Sequence, residues 1–198
     1  MKVIILAAGK STRFGSNKHF IPIGDETLIR RMCRQVKERG RIPVVVTRNK
    51  NIERHCKDYE IFHPKFYSTQ MHTLFFSSSI WDDSEIIVTL SGDAIYTDKD
   101  MDSIFKEKNL KVLVSAKEVG GKALSFVIPS KSYDMVREEM KKILIEGPED
   151  KRLARRLYRE LRKKVKNIEI PTDGISRDID TQEELDLFNK EVILNNKL

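Results

Sequence analysis

A short loop after the first apolar segment carries the residues best suited to chemistry in this chain. Gly9-Lys10-Ser11-Thr12-Arg13 follows a continuous apolar run, and Lys18 comes shortly after it. Glycine lets backbone N–H groups approach an anion closely, and successive N–H groups form a concave anion site. Arg13 and Lys18 add full charges that can hold phosphate oxygens. The loop therefore predicts a triphosphate-binding site, and a polar surface loop without function is the alternative.

This loop resembles the end of a P-loop but lacks an essential part of it. The P-loop pattern requires a further glycine five residues before the Gly-Lys-Ser that ends it. For Gly9-Lys10-Ser11 that place is position 4, where the chain has Ile4, inside the apolar run. We therefore do not expect a P-loop kinase or ATPase.

The first loop must be positioned by the strands and helices around it, and the sequence predicts these from its apolar patterns. Continuous apolar or alternating runs predict strands at 3–7, 43–47, 59–62, 86–90, 111–116, 123–128 and 165–170. Helical spacing predicts helices at 25–39, 50–57, 70–81, 98–108, 131–146, 149–164 and 181–196. Gly120-Gly121 lies between two of the strands and is consistent with a small β-hairpin.

This alternation predicts a single α/β domain with a mostly parallel, twisted sheet and helices on both faces. Ligands of such sheets bind beyond the carboxyl ends of the strands. The polar residues that follow each strand are therefore the ones to inspect.

Length and composition agree with one water-soluble domain. The chain has 198 residues, 34% charged and 39% hydrophobic, and none of its apolar runs approaches the ~20 residues of a membrane span. The first apolar run is short and lacks a cleavage context, so a signal peptide is not expected. The cysteines, Cys33 and Cys56, form no metal-binding or disulfide pattern. A reducing, cytoplasmic location is therefore expected.

The net charge of +7 is concentrated in one segment. Residues 151–166 hold nine basic residues and a single acid, Glu160. Apolar residues recur there at every fourth position and predict one buried helix face: Leu153, Leu157, Leu161 and Val165. The basic residues then form a solvated face, a clamp for an anionic acceptor or a nucleic-acid surface. Tyr158 is the single aromatic residue in this segment, so no pattern of interleaved aromatic residues supports the last interpretation.

The first loop and three later segments resemble a known family. The run from Leu6 to Lys18, followed by Ile21-Pro22-Ile23-Gly24 and Leu28-Ile29, is similar to the opening of the MobA-like nucleotidyltransferases. This family includes molybdenum-cofactor and phosphocholine cytidylyltransferases and sugar-nucleotide pyrophosphorylases. Three segments fit its later motifs in the correct order: Gln70-Met71-His72-Thr73-Leu74, Leu90-Ser91-Gly92-Asp93 and residues 178–185.

A few positions depart from the family pattern. Phe14 replaces Met or Leu, Asn17 replaces Pro or Asp, Gln70 replaces Gly or Asn, and Gln182 replaces Pro. None of these changes removes a charged catalytic group. The change at Gln70 leaves the preferred nucleobase open.

The resemblance implies a Rossmann-like, GT-A-type nucleotidyltransferase over residues 1–198. Residues 1–95 would mainly bind the nucleoside triphosphate, and residues 96–198 would mainly bind a small phosphorylated acceptor such as a sugar phosphate or phosphocholine. The implied nucleotide-binding residues are Leu6, Ala7, Ala8, Gly9, Lys10, Ser11, Thr12, Arg13, Lys18, Gln70 and Thr73.

Roles for the charged residues follow from the implied reaction. Attack of an acceptor phosphate on an α-phosphate brings two anions together, so charge must be neutralised and the groups aligned. Lys18 is expected to hold the α-phosphate, and Arg13 the β- and γ-phosphates. Mg²⁺, or Mn²⁺, is expected to bind Asp93 and Asp180, because these ions prefer oxygen ligands. Asp93 as a turn cap and Asp180 as the N-cap of the last helix are the alternatives.

Two other functions remain open at this point. Asp178-Ile179-Asp180 has the spacing of the Asp-x-Asp metal motif in glycosyltransferases of related fold, although it lies near the end of the chain. A nucleotide- or nucleic-acid-binding protein without turnover is the other. Release of pyrophosphate distinguishes a nucleotidyltransferase from both.

Overall fold

The computed structural model describes residues 1–8, 17–66, 69–115, 123–147, 153–172, 176–179 and 181–195. The strands in these ranges are β1 Lys2–Leu6, β2 Pro22–Ile23, β3 Glu26–Thr27, β4 Ile42–Val46, β5 Glu60–Phe62, β6 Ile86–Ser91, β7 Ala94–Ile95, β8 Lys111–Val114, β9 Ala123–Pro129, β10 Glu169–Ile170 and β11 Arg177–Asp178. The helices are α1 Leu28–Glu38, α2 Lys50–His55, α3 Gln70–Ser77, α4 Asp98–Lys106, α5 Tyr133–Glu146, α6 Leu153–Lys164 and α7 Gln182–Asn195.

One central sheet organises the domain. Its strand order is β10-β8-β9-β6-β1-β4-β5. β9 runs antiparallel to both of its neighbours, β6 and β8, while the other neighbouring strands pair in parallel. The predicted mostly parallel sheet is confirmed. The expected hairpin strands do pair, but they lie inside the central sheet, and Gly120-Gly121 falls outside the described residues.

Helices cover both faces of this sheet, as predicted. Successive side chains of a strand point to opposite faces. Val3 and Ile5 pack in one core with residues of α1, α2 and α4, and Ile4 and Leu6 pack in the other with residues of α3, α5 and α6. The continuous apolar sequence of β1 is therefore explained by burial on both sides.

A third, smaller core joins the start of α1 to the end of the chain. The predicted helix over 25–39 begins late, at Leu28, because Gly24 adopts a left-handed φ of 63° and turns the chain into the β2–β3 hairpin. Strands of two residues show no periodicity that would have predicted this hairpin. The apolar residues of this core are Ile21, Ile23, Leu28, Ile95, Ile179, Leu185 and Phe188.

The strand predicted over 165–170 is shorter than expected. Val165 still donates its N–H to the carbonyl of Leu161, so the last turn of α6 continues through it. Asn167 then adopts a left-handed φ of 52°, and extended pairing starts only at Glu169. Within the described ranges, no α-helix combines the length and apolar character that crossing a membrane requires.

Candidate active site at the carboxyl edge of the sheet

The end of β1 is held firmly before the chain enters the first loop. Leu6, Ala7 and Ala8 are buried there, and Gly9 to Ser16, with Lys10, Ser11, Thr12 and Arg13, lie outside the described residues. Ala7 donates its N–H to the carbonyl of Val46 at 3.0 Å. The hydroxyl of the buried Thr47 donates to the carbonyl of Ala7 at 2.9 Å. A backbone hydrogen bond and the side chain of Thr47 therefore fix the position from which the first loop begins.

The turn after β6 packs directly against this point. β1 and β6 are parallel, and Leu6 pairs with Ser91 at the end of their ladder. Gly92 then donates its N–H to the carbonyl of Leu6 at 3.0 Å. A Cβ atom at Gly92 would lie only 2.6 Å from that oxygen, so glycine is required by the close approach of the two backbones. Asp93 consequently lies beside the start of the first loop.

Lys18 and Asp93, which are far apart in sequence, meet at this edge. Lys18 begins a 3-10 turn that ends at Phe20, and its Nζ lies 3.9 Å from Oδ2 of Asp93. The Lys18 side chain is 5% exposed and the Asp93 side chain 33% exposed. At this distance the two groups are electrostatic neighbours, and the carboxylate remains accessible from solvent. Lys18 and Asp93, for which phosphate and metal binding were predicted separately, therefore lie at the same edge of the sheet.

His19, beside Lys18, is held in its neutral form. The pKa of His19 is lowered to about 4, mainly by burial; the negative charge of Asp93 opposes this shift and the positive charge of Lys18 adds to it. Its Nδ1 lies 2.6 Å from Oδ1 of Asn17, and an amide oxygen there accepts the proton carried by Nδ1. Asn17 also accepts from the backbone N–H of His19. The imidazole therefore shapes the turn that presents Lys18.

Gln70 and Asp93 are connected through Ser91. Gln70 is the first residue of α3, and its Nε2 donates to Oγ of Ser91 at 2.9 Å. Ser91 in turn donates from Oγ to Oδ1 of Asp93 at 2.7 Å. The amide of Gln70 is thus near the end of β6, where the resemblance places a residue bordering the nucleobase.

Thr73, the other residue predicted on this helix, is buried within it. Its hydroxyl donates to the carbonyl of Thr69 at 3.2 Å, one turn earlier. His72 contacts the hydroxyl of Thr69 through Nδ1 and packs edge-on against the exposed Phe66. Thr73 therefore stabilises the start of α3, on which Gln70 lies.

The segment before Asp180 is bonded to Asp93, although Asp180 itself lies outside the described residues. Ile179 donates its N–H to the backbone carbonyl of Asp93 at 3.1 Å, and β11 pairs with β7 immediately beside it. The roles predicted for Asp180, metal ligand or N-cap, stay predictions; among the described residues, Thr181 caps the start of α7. The hydroxyl of Thr181 accepts from the N–H of Glu184, and the Glu184 carboxylate accepts from the N–H of Thr181. This reciprocal pair is a capping box.

The chemistry of this edge fits a hydrated divalent cation. In the part of the chain that the structure describes, no group of three His, Cys, Asp or Glu residues is arranged to hold a metal. Mg²⁺ in nucleotide enzymes does not need such a cage, since it binds one or two carboxylates and the substrate phosphates. A solvent-accessible Asp93 carboxylate with one oxygen held by Ser91 meets that requirement.

A family model and several solved structures match this chain. The model of the MobA-like NTP transferase domain matches residues 3–163. The chain belongs to this family. A search of the curated proteins finds no sequence that matches it.

Solved nucleotidyltransferases have the same fold as this MobA-like domain. A CTP:phosphocholine cytidylyltransferase from Streptococcus pneumoniae superposes with a TM-score of 0.68 at 13% identity, over 96% of this chain and 98% of that one. An inositol-1-phosphate CTP transferase from T. maritima gives a TM-score of 0.63 at 14% identity, over 96% of both chains. A CMP:2-keto-3-deoxy-manno-octonic acid synthetase complexed with CTP gives 0.62 at 12% identity, over 98% of both.

The described part of the basic segment in this MobA-like domain forms the helix α6, and several of its basic side chains lie beside acidic ones. Leu153, Leu157 and Leu161 are buried as predicted, and Val165 is half-buried. Among the described residues, four of its basic side chains form ion pairs: Arg156 with Glu146, Arg162 with Glu169, Lys163 with Glu160 and Lys164 with Glu139. Glu139 is 7% exposed, and its ion pair with Lys164 lowers its pKa. These pairs favour the interpretation as a solvated face.

Three residues that organise the site, Ser91, His19 and Tyr96, were not predicted from the sequence. Ser91 lay inside a recognised motif, and a hydroxyl two residues before a strand-end carboxylate is the signal that could have revealed it. His19 stood next to the predicted lysine. Tyr96 is buried, and its hydroxyl accepts from the N–H of Ser91 at 2.9 Å and donates to the carbonyl of Leu124. A buried tyrosine hydroxyl needs such partners.

Proposed function

We propose that this domain transfers a nucleoside monophosphate from an NTP to a small phosphorylated acceptor and releases pyrophosphate, with Mg²⁺ as cofactor. The observation that supports this most is the meeting of Lys18 and Asp93 beside the start of the first loop. A cation and an accessible carboxylate at the carboxyl edge of the sheet are what a metal-bound triphosphate requires.

Each residue has a specific task in this reaction. Lys18 binds an oxygen of the α-phosphate and stabilises the negative charge that increases there in the transition state. Arg13 holds the β- and γ-phosphates that leave as pyrophosphate. Asp93 and Asp180 bind the metal, which when present neutralises phosphate charge. The acceptor phosphate is already ionised near pH 7, so no general base is needed, in keeping with the neutral, hydrogen-bonded His19.

CTP is the first nucleotide to test. Among the structurally similar proteins are a CTP:phosphocholine cytidylyltransferase, an inositol-1-phosphate CTP transferase and a synthetase complexed with CTP. These proteins are 12–14% identical to this chain. A shared fold does not determine the substrate, so the choice of CTP also depends on the chemistry of the acceptor. A sugar phosphate or phosphocholine-like acceptor supplies the single phosphate that the mechanism needs.

A substrate screen tests the proposal. Each of the four common NTPs is mixed with Mg²⁺ and individual acceptors, including phosphocholine, inositol 1-phosphate and hexose 1-phosphates, and pyrophosphate is measured. We expect release that depends on enzyme, acceptor and metal. The Lys142→Ala variant changes an exposed lysine on α5 and should behave as wild type. Full activity in excess chelator would contradict the metal requirement, and orthophosphate release without acceptor would indicate a hydrolase.

A further inference from the structure

We propose that Ser91 is a positioning residue that sets the orientation of the Asp93 carboxylate and thereby strengthens binding of the metal–nucleotide complex. This inference rests on the proposed function. Three residues carry it: Gln70 at the start of α3, Ser91 at the end of β6, and Asp93 in the turn that follows β6.

The hydrogen bonds of Ser91 have only one consistent direction. A serine hydroxyl has a single proton and accepts through its lone pairs, whereas an ionised carboxylate only accepts. The proton of Ser91 therefore points to Oδ1 of Asp93, 2.7 Å away. The group 2.9 Å away on Gln70 must then be the donating amide nitrogen, because an amide oxygen there would compete for the same proton. Gln70 thus aims the hydroxyl of Ser91 at Asp93.

The backbone of Ser91 is fixed independently of its side chain. The ladder between β6 and β9 ends where Leu90 pairs with Ser125. Beyond that point the Tyr96 hydroxyl lies between the two strands, accepting from the N–H of Ser91 and donating to the carbonyl of Leu124. On its other side Ser91 pairs with Leu6 of β1. Ser91 is 2% exposed, and its backbone is hydrogen-bonded on both sides. Its hydroxyl therefore has a well-defined direction.

This arrangement makes the two oxygens of Asp93 different. Oδ1 accepts from Ser91, and Oδ2 is the oxygen near Lys18. The carboxylate therefore cannot rotate without losing a hydrogen bond, and its remaining lone pairs keep a fixed direction. Partners of this kind behind a metal ligand typically contribute about 10–100-fold to metal affinity. The relay also connects the α3 residue proposed to border the nucleobase with the proposed metal ligand.

Nucleotide binding with and without metal tests this role directly. CTP affinity, and that of the other three NTPs, is measured by calorimetry for wild type in Mn²⁺ and in excess chelator. The ratio of the two affinities reports the contribution of the metal. In Ser91→Ala we expect this ratio to fall by about tenfold or more, while affinity in chelator and the melting temperature stay close to wild type. Ser91→Thr, which keeps the hydroxyl, should retain most of the ratio.

Ser125→Ala is the matched control. Ser125 is a fully buried serine on the neighbouring strand β9, and its Oγ has no hydrogen-bond partner among the described residues. Its removal should leave the ratio unchanged. A wild-type ratio in Ser91→Ala would overturn the positioning role while leaving the proposed function intact. A parallel fall in chelator would show that Ser91 acts only on structure. Failure of wild type to bind any NTP would instead refute the proposed function, and the role of Ser91 with it.

Discussion

Replacing Gly92 with alanine tests whether the turn that carries Asp93 must lie directly on the end of β1. The new Cβ would lie 2.6 Å from the carbonyl oxygen and 3.1 Å from the carbonyl carbon of Leu6, and 3.2 Å from Cα of Ala7. Carbon and oxygen atoms in favourable contact are about 3.3–3.6 Å apart. All three neighbours are backbone atoms of the buried residues Leu6 and Ala7, so no side chain can rotate away to make room.

The loss of stability in Gly92→Ala comes from steric overlap and not from backbone strain. Among the described glycines a left-handed φ occurs at Gly24 and Gly40, and not at Gly92. Separating the backbones lengthens or breaks the bond from Gly92 N–H to Leu6, which is worth about 1 kcal/mol. Overpacking of a well-packed interior adds about 1–3 kcal/mol. The free energy of unfolding should therefore fall by about 2–4 kcal/mol, which lowers the melting temperature by roughly 5–15 °C for a chain of this length.

Thermal melts of Gly92→Ala and Gly147→Ala provide the measurement and its control. Among the described residues, the Cβ added at Gly147 would meet only a guanidinium nitrogen of Arg156, at 3.7 Å, and the backbone φ of −163° is extended. Gly147→Ala should therefore change stability by less than about 0.5 kcal/mol. Equal melting temperatures for the two variants would refute the close approach of the Gly92 turn to β1.

Three further predictions concern Lys18, His19 and Asp180. Lys18→Ala should lower kcat roughly a hundredfold with a smaller effect on NTP affinity, because its main action is on transition-state charge; steady-state kinetics with an unchanged kcat would contradict this. Burial keeps folded His19 neutral down to a pKa of about 4, whereas in the unfolded chain it is protonated below about pH 6.5. The contribution of His19 to the free energy of unfolding is therefore fully present above pH 6.5, and about 3 kcal/mol is lost as the pH falls to 4. Urea denaturation across this range should show this loss in wild type and not in His19→Gln. Asp180→Ser should raise the Mg²⁺ concentration needed for turnover without lowering the melting temperature, whereas Thr181→Ala should cost about 1 kcal/mol of stability and leave the Mg²⁺ dependence unchanged; near-normal turnover of Asp180→Ser would remove it from the metal site.

The sheet and its main helices were predictable because burial imposes simple periodicities. β1, β4 and β6 are buried on both faces and read as continuous apolar runs. In α1, Leu28, Met32 and Val36 recur at helical spacing and are all buried. The meeting of Lys18 with Asp93 was also predictable, since parallel strands end at one edge and family motifs lie there.

Other features depend on tertiary contacts that no local pattern records. The β2–β3 hairpin is too short for periodicity, and the place of β9 between β6 and β8 is a long-range pairing. The relay through Ser91 depends on the side-chain directions of Gln70 and Asp93. The capping box of α7, by contrast, was readable, because Thr181 and Glu184 have its characteristic spacing.

The fate of the individual phosphates tests the central claim most directly. CTP labelled at either the α- or the γ-phosphate is incubated with enzyme, Mg²⁺ and a pool of small phosphorylated acceptors, and the labelled products are separated. Nucleotidyl transfer predicts that the α-label appears in the acceptor product and the γ-label in pyrophosphate, both dependent on Lys18. A γ-label in the acceptor product, or no acceptor-dependent transfer with any of the four NTPs, would contradict the account.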